Sequence, residues 1–343
     1  SGFMRGRLKD GSWLAPFDPY EWGGPYCEGN AWHYNWSVFH DVQGLINLYG
    51  SDEAFTAKID SVFTVPNVIR PGTYGGMIHE MKEMELAGMG QYAHGNQPIQ
   101  HMIYLYSYAG QPWKTQYWSR QITGRLYNSS ERGYPGDEDQ GGMSSWYILS
   151  SLGIYSVCPG TDQYVLGSPV FRKATITMED GRKFVIEADG NSQQNVYIQS
   201  ATLNGKPLDK NYITYKDIAD GGVMRLVMGP EPNRMRLPSR FPDQNEPIDN
   251  RNSEGHVQIP ENNIPVAGGP LTRGQQRLRA AKRQLRAQGQ HADRHPGRGA
   301  DLGLPLSRGD LPVRHGTVHA DLFRQAGRVR HQPVERRRVQ PHG

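Results

Sequence analysis

With only two cysteines in 343 residues, Cys27 and Cys158, the chain cannot carry a disulfide framework. Those two also lack the partners and spacing of a zinc site. No apolar run approaches the roughly 20 residues a membrane-spanning helix needs, so no membrane span is expected. No internal repeat is evident, which sets aside solenoids and propellers. The opening Ser1-Gly2-Phe3-Met4 is neither a natural start nor a charged-then-apolar leader, so the chain reads as beginning in mid-protein. A missing leader therefore excludes no compartment.

Absences also divide the chain. All seven Trp lie at or before Trp146, and no Tyr, Ile, Met, Asn or Trp follows Leu271. From Leu271 to Gly343 there are 15 Arg and 1 Lys against 4 Asp and 1 Glu, a net charge of +11. The whole chain carries +4, so the first 270 residues carry −7. A segment so poor in apolar side chains cannot offset its own chain entropy, and residues 236–343 are expected to form a low-complexity, disordered tail. Its Arg/Gly/His/Gln composition also fits a GC-rich gene translated in the wrong frame. An Arg-rich arm for nucleic acid is the competing reading, because +11 would attract phosphate. It has neither aromatic interleaving nor a recognisable module, so no nucleic-acid partner is expected.

What is present before the tail has two periods. Val38, Val42, Leu45, Ile46 and Tyr49 recur at helical spacing up to Gly50. Further helices are expected over Asp52–Val62, Gly76–Glu85, Pro98 to about Gly110, Lys114–Tyr127 and Met143–Leu152. Long Gly, Pro and aromatic loops separate them, which suggests a ring of helical hairpins whose loops line one mouth over residues 1–158. Past Pro159 the period falls to two. Lys173–Glu179, Lys183–Ala188, Asn195–Leu203 and Val223–Met228 alternate like strands, with Asp180-Gly181 and Asn204-Gly205 as hairpin turns. Residues 159–235 are expected to form a small antiparallel β unit of the same catalytic unit. The fold class is thus mainly α with a C-terminal β portion.

The chemistry concentrates in glycine-flanked acidic loops. Asp137, Glu138 and Asp139 stand together in Gly136-Asp137-Glu138-Asp139-Gln140, and Glu28 stands in Tyr26-Cys27-Glu28-Gly29-Asn30-Ala31-Trp32. Two carboxyls in unlike environments can hold unlike pKa values, one donating a proton while the other accepts one. That pair is the minimum equipment for cutting a glycosidic bond. The plain alternative for residues 136–140 is an acidic turn capping the helix that follows. His79-Glu80 with Glu83, and His94-Gly95-Asn96-Gln97-Pro98 with His101, add further acids, amides and imidazoles. Oxygen-rich sets of this kind favour calcium or magnesium over zinc. His79 has no second His four residues later, so the zinc-protease arrangement is absent.

These runs, together with Gly90-Gln91-Tyr92-Ala93-His94-Gly95-Asn96-Gln97-Pro98, Tyr108-Ala109-Gly110-Gln111-Pro112-Trp113 and Pro159-Gly160-Thr161-Asp162-Gln163-Tyr164, resemble family-92 glycoside hydrolases. The resemblance covers about residues 1–235, with the motifs in order. It implies an inverting, calcium-dependent exo-α-mannosidase that takes terminal mannose from α-mannoside glycans such as N-glycans or mannan. It implies a partial (α/α)6 barrel here, with a preceding β-sandwich that completes the site, and a periplasmic or secreted location. By the same resemblance Glu28 is the general acid, Asp139 the general base and Asp137 its support. His79 and Glu80 contact the leaving sugar of an α-1,2 linkage, with Trp32 and Gln97 also on substrate. Asn96, Glu83 and Asp139 are the expected Ca2+ neighbours. A remnant that binds mannose without turnover is the alternative, since half the site belongs to the sandwich. The isolated fragment is accordingly expected to be inactive or poorly soluble.

Overall fold

The computed structural model describes residues 2–234 and the backbone of 318–320. The tail expectation for residues 236–343 lies otherwise outside the described residues.

Local chemistry sets the helix ends. Asn30 opens α1 (Ala31–Tyr34) with a capping box, its side chain accepting from Trp32 N–H while His33 Nδ1 accepts from Asn30 N–H. Asp41 caps α2 (Val42–Tyr49), and Gly50 ends it in the left-handed region. Ser51 caps α3 (Asp52–Thr64). Then come α4 (His79–Ala87), α5 (Leu105–Tyr108), α6 (Pro112–Arg125, with Pro at its first turn), α7 (Gly142–Leu152) and α8 (Tyr215–Ala219).

One helix differs from the sequence reading. Residues 97–108 form two 3-10 turns, Gln97–Ile99 and Met102–Tyr104, before α5, rather than one helix from Pro98. Ile99, Met102, Ile103, Tyr104, Leu105 and Tyr106 are all fully buried. A segment buried almost throughout has no solvent-facing stripe to enforce a 3.6-residue period, and packing chooses the tighter turns.

The β portion is also richer than expected. A three-stranded antiparallel sheet joins β1 (Ile154–Tyr155), β2 (Gln163–Leu166) and β7 (Tyr212–Thr214). In the larger sheet the order is β6-β5-β8-β4-β3-β9. There β3 (Lys173–Thr177) and β4 (Lys183–Asp189) form the hairpin turned at Asp180-Gly181, and β5 (Tyr197–Leu203) and β6 (Lys206–Pro207) the one turned at Asn204-Gly205. The expectation of a purely antiparallel unit is corrected. β8 (Gly222–Gly229) lies antiparallel to β5 but parallel to β4, and β9 (Val318–Ala320) lies parallel to β3. Alternation fixes which face of a strand is buried; it does not fix its neighbour's direction.

Two apolar clusters hold these halves. One gathers Trp22, Trp36, Phe55, Tyr92, Tyr106 and Trp146 among the helices; the other gathers Phe184, Ile186, Met224 and Leu226 within the sheet. Arg120 on α6 bridges them, donating to the carbonyls of Pro169 and Ser192 and to Asn191 Oδ1 at 2.7–2.8 Å. Beside it Gln116 Oε1 accepts from Ile198 N–H at 3.0 Å. Among the described residues no helix is long and apolar enough to cross a membrane.

Candidate active site

Glu28 sits near the end of a short loop that closes on itself, Gly23 N–H donating to the Gly29 carbonyl at 3.0 Å. Its side chain is exposed, and its φ of +48° lies in the left-handed region. Among the described residues four non-glycine positions have positive φ: Glu28, Asp139, Gln140 and Asn204. Asn204 occupies a hairpin turn that needs it. The other three fall in the two acidic loops, where backbone strain costs on the order of 1–3 kcal/mol per residue and persists only if the surroundings impose it.

The dipeptide Asn96-Gln97 links those loops. Asn96 is buried, and its Nδ2 donates to the Glu28 carbonyl at 2.9 Å while its Oδ1 accepts from Gln97 N–H at 3.0 Å. Gln97 Nε2 donates to Asp139 Oδ2 at 2.5 Å. Below them His94 is fully buried between the hydroxyls of Tyr92 and Tyr127, at 2.9 and 2.7 Å, and burial pushes its pKa down to about 3. It is therefore a neutral strut of the core.

The three acids of the 136–140 loop divide their labour. Glu138 accepts from Gly141 N–H, Ser144 N–H and Ser144 Oγ at 2.5–3.1 Å, which holds its carboxyl below the usual range, the Ser144 hydroxyl contributing most. This is the helix-capping role, taken by one residue and leaving Asp137 and Asp139 exposed. The loop comes close to Asn96 because two glycines meet. A Cβ on Gly136 would lie 2.4 Å from the Gly95 carbonyl oxygen, and one on either glycine would lie 2.7–2.8 Å from Glu83 Oε2.

Helix α4 supplies the remaining groups. His79 Nδ1 is 3.0 Å from Glu83 Oε1, and its Nε2 is 3.1 Å from Glu80 Oε1 and 4.0 Å from Asp137 Oδ2. The Glu83 contact, then its acidic neighbours, raise the His79 pKa. Burial raises that of Glu83, with His79 pulling the other way. Ligand atoms of His79, Glu83 and Asp137 lie within 4.8 Å of one another. Glu80 Oε2 and Glu83 Oε2 are buried without a hydrogen-bond partner. Orphaned carboxylate oxygens are what a hard cation would satisfy, so these acids form a candidate metal-binding group.

A hollow of about 400 Å³ opens beside Glu28, lined by Tyr34, Phe39, Asn96, Gln97 and His101 among others. Trp32 is not part of it. Only 6% exposed, it packs edge-on against Phe3 at 4.7 Å with Lys58 Nζ 4.1 Å over its ring, because its position on α1 faces the core. The aromatic side chains that do line the hollow, Tyr34 and Phe39, were missed by the sequence reading, where nothing separates them from core aromatics. Of the expected cation neighbours, Asn96 hydrogen-bonds to Glu28 and Gln97 and Asp139 to Gln97, while ligand atoms of Glu83 cluster with those of His79 and Asp137.

Exposed carboxylates on two loops joined through Asn96-Gln97, beside a hollow and an acidic cluster, are the kinds of group that glycoside hydrolysis uses. The chain belongs to glycosyl hydrolase family 92: the model of its catalytic domain matches residues 1–230. It is 49% identical to a family GH92 inverting mannosidase from Bacteroides thetaiotaomicron, covering 69% of this chain and 32% of that one with a TM-score of 0.61. A family GH92 α-mannosidase from the same organism is 38% identical, with 69% and 29% covered and a TM-score of 0.61. A protein of Arthroderma benhamiae described as an uncharacterized secreted glycosidase is 28% identical over 207 residues, which are 60% of this chain and 24% of that protein. The chain thus spans about a third of the solved relatives' length and a quarter of the curated one's.

Proposed function

We propose that this chain is the catalytic part of an inverting, calcium-dependent exo-α-1,2-mannosidase that removes terminal mannose from N-glycans or mannan. The observation that carries the reading is the Asn96-Gln97 bridge, one residue holding Glu28 and the next holding Asp139. A 49% identical relative described as an inverting mannosidase supports it. The helical portion then belongs to an (α/α)6 barrel, a β-sandwich outside this chain completes the site, and the enzyme is secreted or periplasmic.

In this mechanism Glu28 protonates the departing oxygen. Asp139, oriented by Gln97, takes a proton from the attacking water on the opposite face, with Asp137 beside it. Inversion requires room for that water, so the two carboxyls work across a gap of roughly 6.5–9.5 Å. Glu83 and Asp137 would hold the calcium through carboxylate oxygens, and the bound ion would supply a positive charge to grip sugar hydroxyls and favour ionised carboxylates. Glu80 remains beside His79 for the leaving sugar.

The test is release of mannose from α-1,2-mannobiose by the intact protein, with the first-formed anomer followed by NMR. The β anomer should appear first, and saturating chelator should stop the reaction. The α anomer first would overturn inversion, and turnover in chelator would overturn the calcium role. Mannose binding without any turnover would favour a non-catalytic remnant.

A further inference from the structure

We propose that Tyr74 is a positioning residue for Glu28, fixing the main chain from which the acid projects; this rests on the reading of Glu28 as general acid. Glu28 N–H donates to the Tyr74 hydroxyl at 2.7 Å. With Asn96 on the Glu28 carbonyl, both peptide groups flanking its Cα have a side-chain partner from a distant segment. Asn96 comes from the loop that also reaches Asp139, so it has other work to do. Tyr74 makes the contact specific to Glu28.

The segment carrying Tyr74 is built against the Glu28 loop. Glu21 and Arg70 pair as a short parallel bridge, and Trp22 N–H donates to the Arg70 carbonyl at 2.9 Å. A 3-10 turn over Gly72–Tyr74 follows, flanked by left-handed Gly75. Gly72 lies so near Trp22 that a Cβ would stand 2.3 Å from the Trp22 carbonyl oxygen. Thr73 Oγ1 then accepts from Gly24 N–H at 2.9 Å. The Tyr74 ring lies over Gly23, where a Cβ would come within 3.1 Å of the ring. Glycines at 23 and 72 thus let the two segments touch, and the phenol arrives at the Glu28 amide.

That amide belongs to a residue in a conformation that side-chain-bearing residues adopt only under constraint. Without an acceptor for the N–H, the peptide can rotate towards an ordinary extended or helical φ and swing the carboxyl off its target. A displacement near an ångström at a reacting group costs on the order of 100-fold in rate. The loss should fall on the proton-transfer step alone.

The experiment compares Tyr74→Phe, Glu28→Gln and the double variant in the intact enzyme, on α-1,2-mannobiose and on dinitrophenyl α-mannoside. The second substrate departs without protonation. Tyr74→Phe keeps the ring on Gly23 and removes only the acceptor. It should lower kcat on the disaccharide about 10- to 100-fold and change the aryl mannoside much less. The double variant should be no slower on the disaccharide than Glu28→Gln, since a residue acting through another adds nothing once that one is gone. Equal losses on both substrates, or multiplicative losses in the double variant, would overturn the proposal while leaving Glu28 as acid. If Glu28→Gln itself slows both substrates equally, the acid assignment fails and the role of Tyr74 with it.

Discussion

Asn96 donates its amide to the main-chain carbonyl of Glu28 at 2.9 Å, across 68 positions of sequence. The next residue, Gln97, donates to the carboxylate of Asp139 at 2.5 Å. Two loops that each carry a left-handed acidic residue are therefore indexed to one dipeptide.

From that arrangement the two carboxylates should separate by leaving group. Glu28→Gln should remove most turnover on α-1,2-mannobiose and spare aryl mannosides with good leaving groups. Asp139→Asn should abolish both, because water must be activated whatever departs. Each loss should reach about 10²–10⁴-fold, the usual value of acid–base assistance. Steady-state kinetics on the two substrates decides it, and a Glu28→Gln enzyme equally slow on both would show the acid is misassigned.

Glu138 should behave unlike its neighbours. Its carboxylate is occupied by Gly141 and Ser144 at the start of α7. Glu138→Ala should lower stability by about 0.5–2 kcal/mol, as loss of a helix cap does. Its ratio of rates on the disaccharide and the aryl substrate should match the wild type. Denaturant titration and the same two assays check this; a changed ratio at unchanged stability would give Glu138 a part in the chemistry.

The glycine stop of α2 at Gly50 was legible from sequence because its signal is local, whereas its start at Val42, capped by Asp41, falls four residues after the expected Val38. The Asp180-Gly181 and Asn204-Gly205 turns were legible too. The parallel pairing of β4 with β8 was not, since it depends on a crossover of more than thirty residues whose end point no local pattern records. That the acidic residues gather in glycine-flanked loops was legible, and which of them caps a helix was not. Whether a carboxylate caps a helix, as Glu138 does, or stays exposed, as Asp137 does, is decided by the turn geometry around Gly136 and Gly141. Nor does the sequence say that Trp32, four residues from Glu28, lies on the inward side of its helix.

Stability should fall on mild acidification. Burial pushes the pKa values of His33 and His94 down to about 3, and lowers that of His101 as well. Between the ordinary value near 6.5 and about 3, the unfolded chain binds protons that the folded chain refuses, so stability drops as pH falls. His33 and His94 each contribute about 1.4 kcal/mol per pH unit well below 6.5. Unfolding free energies between pH 7 and 5 should show this slope, reduced by one proton in His33→Asn. A flat profile over that range would mean these rings are charged or solvated in the folded state.

The α4 acids should divide between cation and substrate. Glu83 shares the His79 and Asp137 cluster and keeps one buried oxygen without a partner. Glu83→Ala should weaken calcium binding by ten-fold or more, on the order of 1.4 kcal/mol, read by calorimetry on the intact protein. Glu80 contacts His79 but is not one of the clustered ligands. A site built to hydrogen-bond a sugar hydroxyl discriminates strongly against substrates that leave its buried polar groups unpaired. Glu80→Ala should therefore depress cleavage of α-1,2-mannobiose relative to α-1,3-mannobiose while calcium affinity changes little. Because Glu80 also has a buried unpartnered oxygen, the opposite result has a clear meaning. If Glu80→Ala loses calcium, Glu80 is itself a ligand, and if the two mannobioses are cleaved in the wild-type ratio, it does not read the linkage.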